Sequence, residues 1–228
     1  MSNIIVIGAS QGLGLCLVRD LLSQGCQVAA GVLGGGALAP LQEQYSQQLL
    51  VFPGDVTRME QLTAGAKACQ DFFGQADAVC VVAGVLLPGD REKLLHQCDL
   101  AELEATFQVN AFGPIRAAQA FLPVLKPGGR FFAITSEGVG VKSCGTWVPC
   151  YGLSKTAATK ACGILNASYP DADFYAVHPG RMNTEMGRTT AQIEPEETAA
   201  ALCKMLTGQV PLHRESWYID YKGEPMEA

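Results

Sequence analysis

The amino-acid sequence predicts an α/β fold, a doubly wound parallel sheet of about seven strands in a single domain. The chain has 228 residues, of which 48% are apolar and 17% charged, enough to bury a sheet on both faces. Short apolar runs recur along the chain, and they lack the alternating polar residues of half-exposed strands. Helical patterns separate these runs, an alternation typical of parallel sheets with right-handed crossovers.

Seven segments are predicted as strands because each is an apolar run bounded by turn-forming residues. In chain order they are NIIVIGA, QVAAGVL, QLLVFPG, DAVCVVAG, GRFFAITS, DFYAVHPG and SWYIDY. The helices are predicted at 12–24, 38–47, 59–73, 99–125, 151–168 and 195–206. Nothing in the composition suggests a linker, so residues 1–228 are predicted to form one domain.

Charge and cysteine content exclude several functional classes. The net charge of −6 and the absence of any basic run argue against a nucleic-acid partner. No apolar run reaches the length of a membrane span, and the amino terminus lacks the features of a signal peptide. The nine cysteines contain no CxxC pair and no metal-ligand spacing. We therefore expect a cytoplasmic protein with reduced thiols and no bound metal.

The first strand-to-helix turn reads VIGASQGLGL, with glycines at Gly8, Gly12 and Gly14. Gly8 permits a tight turn, Gly12 lets a pyrophosphate approach the backbone, and Gly14 lets helix and strand pack closely. The sequence therefore predicts a dinucleotide site at a helix start. The end of the second strand, Val32 and Leu33, and Gln11 in the glycine-rich turn are all uncharged, so NAD and NADP both remain open.

The segment PCYGLSKTAATKA places Tyr151 and Lys155 one helical turn apart. A tyrosine has an ordinary pKa of about 10, and a nearby lysine or a positively charged nicotinamide ring favours its phenolate. A tyrosine near a reacting oxygen transfers a proton to or from it. The pair is therefore predicted to be an acid–base couple, although in isolation it is more often a pair of surface neighbours.

The glycine-rich turn is followed, in order, by the motifs GDVT, VVAG, VNAFGP, ITSEGVG, YGLSK and HPGRMNTEMG. In this order the motifs resemble the short-chain dehydrogenase/reductase family. The HPG segment and the terminal WYIDYKGE are most similar to its small C-factor-like carbonyl reductases. The resemblance spans the chain. It implies a Rossmann-type sheet, NAD or NADP as cofactor, and a homodimer or homotetramer built on helices 99–125 and 151–168.

The resemblance also implies roles for individual residues. Catalysis is assigned to Asn110, Ser136, Tyr151 and Lys155: the asparagine holds a relay water, the serine binds the substrate oxygen, and the lysine assists the tyrosine. Cofactor contacts are assigned to Gly8, Ser10, Gln11, Gly12, Leu13, Gly14, Asp55, Val56, Ala83, Gly84, Tyr151, Lys155, Pro179, Gly180, Met182 and Thr184.

Three features depart from the family pattern. Ile7 replaces a usual threonine, and Val81–Val82 replace a usual asparagine pair, which suggests a compensated apolar repacking. Ser136 precedes Tyr151 by fifteen residues, two more than is usual. Ser143 is therefore an alternative catalytic serine, and Thr135 a weaker one.

The predicted function is the NAD(P)-dependent interconversion of a carbonyl and an alcohol on a small molecule. Segments 85–99 and 180–194 are expected to border the substrate. A catalytically silent dinucleotide-binding sensor that regulates a partner is the alternative, and dehydration or epimerisation by the same tyrosine is a third possibility. The sequence names neither the substrate nor the direction of the reaction.

Overall fold

The computed structural model describes residues 1–34, 36–138, 145–187 and 191–227. Its sheet has seven strands, and every pair of neighbouring strands runs parallel. The strands are β1 (Asn3–Ile7), β2 (Gln27–Val32), β3 (Leu49–Pro53), β4 (Ala76–Val81), β5 (Leu125–Ile134), β6 (Ala172–His178) and β7 (Tyr218–Asp220). All seven predicted strands are confirmed, and the doubly wound α/β fold with them.

Seven α-helices connect or follow the strands in the described residues. They are α1 (Gly12–Ser23), α2 (Ala39–Gln44), α3 (Met59–Phe73), α4 (Leu100–Asn110), α5 (Phe112–Phe121), α6 (Pro149–Ser168) and α7 (Pro195–Leu206). None of the helices in these residues combines the length and the apolar character needed to cross a membrane.

The sheet is buried on both faces, as its continuous apolar strands predict. Within β1, Ile4 and Val6 face a cluster that contains residues of α1 and α7, whereas Ile5 and Ile7 face a cluster with α3, α5 and α6. All four side chains are fully buried. A strand with two apolar faces is fixed by packing on both sides, so the position at which the next loop begins is fixed as well.

The strand order is β3-β2-β1-β4-β5-β6-β7. It reverses direction between β1 and β4, because the chain goes outward to β3 and then returns to the other side of β1. Ligands of such sheets bind in the crevice outside the carboxyl ends of the strands at this reversal. The crevice here is bordered by the turns that follow β1 and β4.

Two of the unusual positions face each other beneath this crevice. Ile7 ends β1, Val81 ends β4, and the two are register partners. Both are buried in the same apolar cluster. The structure therefore supports an apolar repacking in which the two polar positions of the family pattern are replaced together.

The segment 99–125 differs from its prediction as a single helix. It divides at Ala111 into α4 and α5. In a continuous helix, residue 114 would donate its N–H to the carbonyl of Asn110, but Pro114 has no N–H and its ring disfavours a straight helix. The sequence contained this signal, and it leaves the Asn110 carbonyl without an α-helical partner.

Candidate active site

The glycine-rich turn lies against the turn after β4. A Cβ added at Gly8 would lie 2.5 Å from Ala83 N, and one at Gly14 would lie 2.2 Å from Gly8 O. Gly8 also has a φ of +91°, which non-glycine residues rarely adopt. Gly8, Gly14 and Ala83 are thus brought together, and the geometry requires glycine at both positions.

The start of α1 is open on the crevice side. Its N-cap is Gln11, an exposed residue, and within the described chain no side chain caps the helix and no acidic residue occupies its first turn. Gly12 has a φ of +52°, and Thr184 is its nearest neighbour, with Cγ2 3.7 Å from the Cβ position. An uncapped helix start beside a glycine is a suitable site for the phosphates of a dinucleotide.

Other predicted cofactor residues have structural partners of their own. The Ser10 hydroxyl accepts a hydrogen bond from Leu33 N at 3.3 Å. Asp55 accepts from the backbone and hydroxyl of Thr57 at 2.8 and 2.7 Å, as a turn-forming aspartate does. Leu13 and Val56 are buried in the two apolar clusters.

The segment after β6 approaches the same crevice. The Pro179 carbonyl accepts from Thr198 at 2.7 Å. Gly180 has a φ of +78°, and a Cβ there would lie 2.5 Å from Ile193 Cδ1. Met182 forms an isolated bridge with Ile193 and packs against the cluster of α1 and α7. Thr184 contacts the Cβ position of Gly12, which places this segment beside the glycine-rich turn.

Lys155, Asn110 and Gly84 converge at the end of β4. A Cβ at Gly84 would lie 3.2 Å from Lys155 Nζ and 3.4 Å from Asn110 Oδ1, so a larger residue there would be in tight contact with both side chains. Lys155 is 3% exposed, and Nζ donates to the Ile134 carbonyl at 2.7 Å. An ammonium carries three donors. The donor that binds the Ile134 carbonyl directs the Lys155 side chain toward the carboxyl end of β5.

Tyr151 lies beside this lysine. Lys155 Nζ is 5.6 Å from the centroid of the Tyr151 ring. Burial raises the pKa of Tyr151 to about 12 and lowers the pKa of Lys155 to about 8, because it disfavours the charged form of each group. The protein alone therefore keeps the phenol protonated, and the expected lowering of the Tyr151 pKa needs a further positive charge.

Asn110 binds the turn after β4 with its side chain. Oδ1 accepts from Val85 N at 2.8 Å, and Nδ2 donates to Val85 O at 2.8 Å and to Ser154 Oγ at 3.0 Å. The Ser154 hydroxyl in turn donates to the Tyr151 carbonyl at 2.7 Å. This network joins Asn110 to the backbone of Tyr151, and Ser154 is a member that no sequence argument identified.

Ser136, the first candidate for the catalytic serine, is held through its backbone carbonyl. Tyr218 donates to the carbonyl of Ser136 at 2.7 Å, which holds the backbone there. Among the hydrogen bonds of the described residues, none joins the Ser136 hydroxyl to Tyr151 or Lys155. Thr135 is buried, and in the same residues its hydroxyl has no hydrogen-bond partner. Ser143 lies outside the described residues, so the choice between Ser136 and Ser143 stays open.

Asp90, which sequence reasoning missed, contacts the catalytic helix. It belongs to a short 3-10 turn, Pro88–Arg91, in the predicted substrate-side segment. Its carboxylate accepts from Cys150 N and from Tyr151 N, both at 2.8 Å. A PGD turn gives no sign that its aspartate caps a helix about sixty residues later.

The two predicted substrate-side segments meet across the crevice. Arg91 donates a hydrogen bond to the carbonyl of Met186. The guanidinium of Arg91 also lies over the ring of Trp147, 5.7 Å from its centroid. Trp147 is 53% exposed, so an aromatic surface and a cation border the open side of the site.

Comparison with known proteins identifies the family of this chain. The family model for short chain dehydrogenases matches residues 2–195. A 1-hydroxy-2-glutathionyl-2-methyl-3-butene dehydrogenase from Rhodococcus sp. (strain AD45) is 28% identical over 221 residues, which are 92% of this chain and 93% of that protein. A 2,3-dihydro-2,3-dihydroxybenzoate dehydrogenase from Bacillus subtilis is 30% identical over 79% of this chain and 70% of its own.

Solved structures share the fold. The carbonyl reductase Sniffer of D. melanogaster superimposes with a TM-score of 0.88 at 20% identity, over 99% of each chain. A Burkholderia multivorans structure with bound NADP, named as a short-chain dehydrogenase/reductase, has a TM-score of 0.86 at 23% identity, over 98% of each chain.

The chain belongs to the short-chain dehydrogenase family. It is an oxidoreductase that depends on NAD or NADP, as its sequence predicts.

Proposed function

We propose that the protein interconverts a carbonyl and an alcohol on a small molecule, with Tyr151 as the acid and base. The observation that carries this proposal is the convergence of Lys155, Asn110 and Gly84 beside Tyr151 at the reversal of the strand order. A bound nicotinamide cofactor supplies the hydride chemistry. The protein contributes placement, a proton and electrostatic stabilisation.

The cofactor would be held by the open start of α1 and the turns after β1, β4 and β6. The first-turn N–H groups and the positive end of the α1 dipole suit the phosphates. Gly84 has no side chain, which leaves space next to the Lys155 ammonium. We therefore assign the ribose on the nicotinamide side to Lys155, and the cofactor contacts implied by the resemblance to the residues that line this crevice.

Proton delivery rests on Tyr151, Lys155 and Asn110. In the reductive direction the phenol is already in the required form, because burial raises its pKa to about 12. Its proton passes to the substrate oxygen, and the ammonium of Lys155 stabilises the phenolate that remains. The Asn110 carbonyl, which has no α-helical partner because of Pro114, is placed to accept from a water that returns a proton. Ser136 or Ser143 donates to the substrate oxygen.

Titration of the protein with NADH and NADPH, followed by a panel of carbonyl compounds, tests the proposal. We expect loss of reduced-nicotinamide absorbance and a product heavier by two hydrogens. A product of unchanged oxidation level would point to dehydration or epimerisation. Cofactor binding without reduction of any carbonyl would favour the silent sensor.

The Tyr151→Phe variant isolates the proton donor. We expect kcat to fall about 1000-fold, because the ring stays in place and only the transferable proton is lost. The cofactor Kd should stay within about threefold. Tyr169→Phe, at the far end of α6, is the matched control and should keep full activity. Full turnover in Tyr151→Phe would contradict the mechanism.

We also infer a homodimer or homotetramer built on the helices between β4 and β6. Several large apolar side chains on these helices are exposed: Leu100, Phe112, Leu153 and Ile164. Burial of such a group in a partner's matching face would stabilise an oligomer. Light scattering should give at least twice the 24.1 kDa chain mass, and Ile164→Glu should lower it. A monomer at micromolar concentration would contradict this inference.

A cytoplasmic location is inferred from the thiols. The eight cysteines that the structure describes are free, and seven of them are buried. Reduced thiols in this number are typical of a reducing compartment. Disulfide-linked peptides in protein isolated under thiol-trapping conditions would contradict this inference.

A further inference from the structure

The catalytic helix α6 begins at a residue that cannot cap it. Val148 occupies the N-cap position with φ 50° and ψ 58°, a left-handed conformation that is strained for a β-branched residue. No hydrogen bond from its side chain caps the helix among the described residues. Another group must therefore accept the hydrogen bonds of the free N–H groups in the first turn.

The open donors of this turn can be counted. Pro149 has no N–H, and Gly152 N donates to Val148 O at 2.9 Å. The N–H groups of Cys150 and Tyr151 remain, and Asp90 accepts one with each of its carboxylate oxygens. The aspartate therefore completes the hydrogen bonding of the turn that carries Tyr151.

Asp90 is itself buried, with 2% of its surface exposed. A buried carboxylate is costly unless donors and positive charge compensate it. No ion pair of Asp90 occurs in the described part of the chain, and its hydrogen bonds there all go to α6, to the N–H groups of Cys150 and Tyr151 and to the Cys150 thiol. The positive end of the α6 dipole supplies the compensation. Asp90 therefore holds the helix start.

Both backbone polar groups of Tyr151 are thus fixed by side chains. Its N–H donates to Asp90, and its C=O accepts from Ser154, which Asn110 binds at 3.0 Å. Asn110 also holds both backbone groups of Val85, five residues before Asp90. The contacts form a closed circuit that joins the turn after β4, α4 and the start of α6.

We propose that Asp90 is a positioning residue, which fixes Tyr151 relative to Lys155 and Asn110 through the first turn of α6. Its carboxylate acts through the backbone N–H groups of Cys150 and Tyr151. This inference rests on the proposed function, because it concerns the placement of the proton donor. A displacement of about 1 Å in a catalytic group costs on the order of 100-fold in rate, so loss of the circuit should appear in kcat.

Two variants test this role, Asp90→Asn and Asp90→Ala. Asn has a similar shape but only one acceptor atom, so one of the two N–H groups loses its partner. We expect kcat to fall about 10-fold in Asp90→Asn and about 100-fold in Asp90→Ala. The cofactor Kd should stay within about threefold in both, because the start of α1 is untouched. Activity is measured per cofactor-binding site, well below the unfolding temperature, so that lower stability alone does not change it.

Asp77→Asn is the matched control. Asp77 also accepts a backbone N–H, from Asn3 at 2.7 Å, and pairs with Lys126, but it lies near the amino end of β4, at the opposite end of the strand from the site. The Asp77→Asn variant should be less stable, with an unchanged kcat per binding site. Asp90→Glu, which restores two acceptors, should recover part of the activity lost in Asp90→Ala.

Hydrogen exchange supplies a readout that does not depend on turnover. The amides of Cys150 and Tyr151 should exchange at least about 10-fold faster in Asp90→Ala than in the unaltered protein, and at an unchanged rate in Asp77→Asn. Unaltered exchange, or unaltered kcat in both Asp90 variants, would overturn the inference while leaving the proposed function intact. Absence of any carbonyl turnover in the unaltered protein would overturn the proposed function, and this inference with it.

Discussion

The two helices that border the crevice, α1 and α6, begin in opposite ways. The start of α1 has an extended Gln11, no capping side chain within the described residues and no acidic residue in its first turn. The start of α6 has a left-handed Val148 and a buried carboxylate on its two open N–H groups. Both starts lie at the carboxyl edge of the same sheet.

This difference separates two uses of a helix start. An uncapped start keeps donors and a positive potential available for an anionic ligand. A start that is already occupied by a carboxylate cannot bind a phosphate, but it is held firmly in place. In this protein the first arrangement suits cofactor binding and the second suits a residue whose position decides the rate.

The largest effect is expected on the α6 side, from Lys155→Met. This variant keeps a long buried side chain and removes the ammonium, so both phenolate stabilisation and the proposed ribose contact are lost. We expect kcat/KM to fall by about 100- to 1000-fold. Stability should change little, because two effects oppose each other. The variant removes the cost of a buried charge, but it also removes the hydrogen bond to the Ile134 carbonyl. Lys160→Met, at an exposed position on the same helix, is the control, and equal activity in the two variants would contradict the role of Lys155.

A second test on the α6 side is the pH dependence of kcat/KM for the cofactor, which reports the free enzyme. Burial lowers the pKa of Lys155 to about 8, so the ammonium is present below that pH and is lost above it. Tyr151, with its pKa raised to about 12, stays protonated throughout this range. We expect a plateau below pH about 8 and a fall of about tenfold per pH unit above it. A flat profile up to pH 10 would show that the charge of Lys155 is not needed.

The smallest effect on activity is expected from substitutions at the last residues of β1 and β4, Ile7 and Val81. Val81→Asn buries an amide in an apolar cluster and should cost about 1 to 3 kcal/mol of unfolding free energy. Activity per folded molecule should stay within about twofold, because Val81 faces the core rather than the crevice. Denaturant unfolding of Val81→Asn, Ile7→Thr and the double variant measures the coupling. If the polar pair can replace the apolar pair, the double variant should lose less unfolding free energy than the two single variants lose together. Losses that simply add would contradict a joint repacking.

The fold was predictable because its signals are local and repeated. Continuous apolar strands, turn residues and helical spacing occur within short windows, and all seven strands follow from them. The ends of elements were harder, since β5 begins at Leu125 and α6 at Pro149, both earlier than predicted. The prediction of one helix over 99–125 was wrong at Ala111, where Pro114 disfavours a continuous helix.

The site was predictable only in part. Lys155, Asn110 and Gly84 were singled out by motif and do converge. Asp90 and Ser154 were not, because their roles depend on which backbone groups the fold leaves open, and no short window of sequence contains that information. The pKa of Tyr151 also depends on burial, which opposes the effect expected from its lysine neighbour.

The most direct test of the account makes the start of α1 resemble that of α6. Gln11→Asp places a carboxylate at an exposed N-cap, where an aspartate stabilises a helix by about 1 kcal/mol. We measure the Tm of the protein without cofactor and the Kd for NADH and NADPH, with the neutral cap Gln11→Asn as the control. We expect a Tm higher by about 2 to 4 °C in both variants, with cofactor binding at least about tenfold weaker in Gln11→Asp than in Gln11→Asn. Equal affinity in the two variants would contradict the claim that the open start of α1 binds the cofactor phosphates.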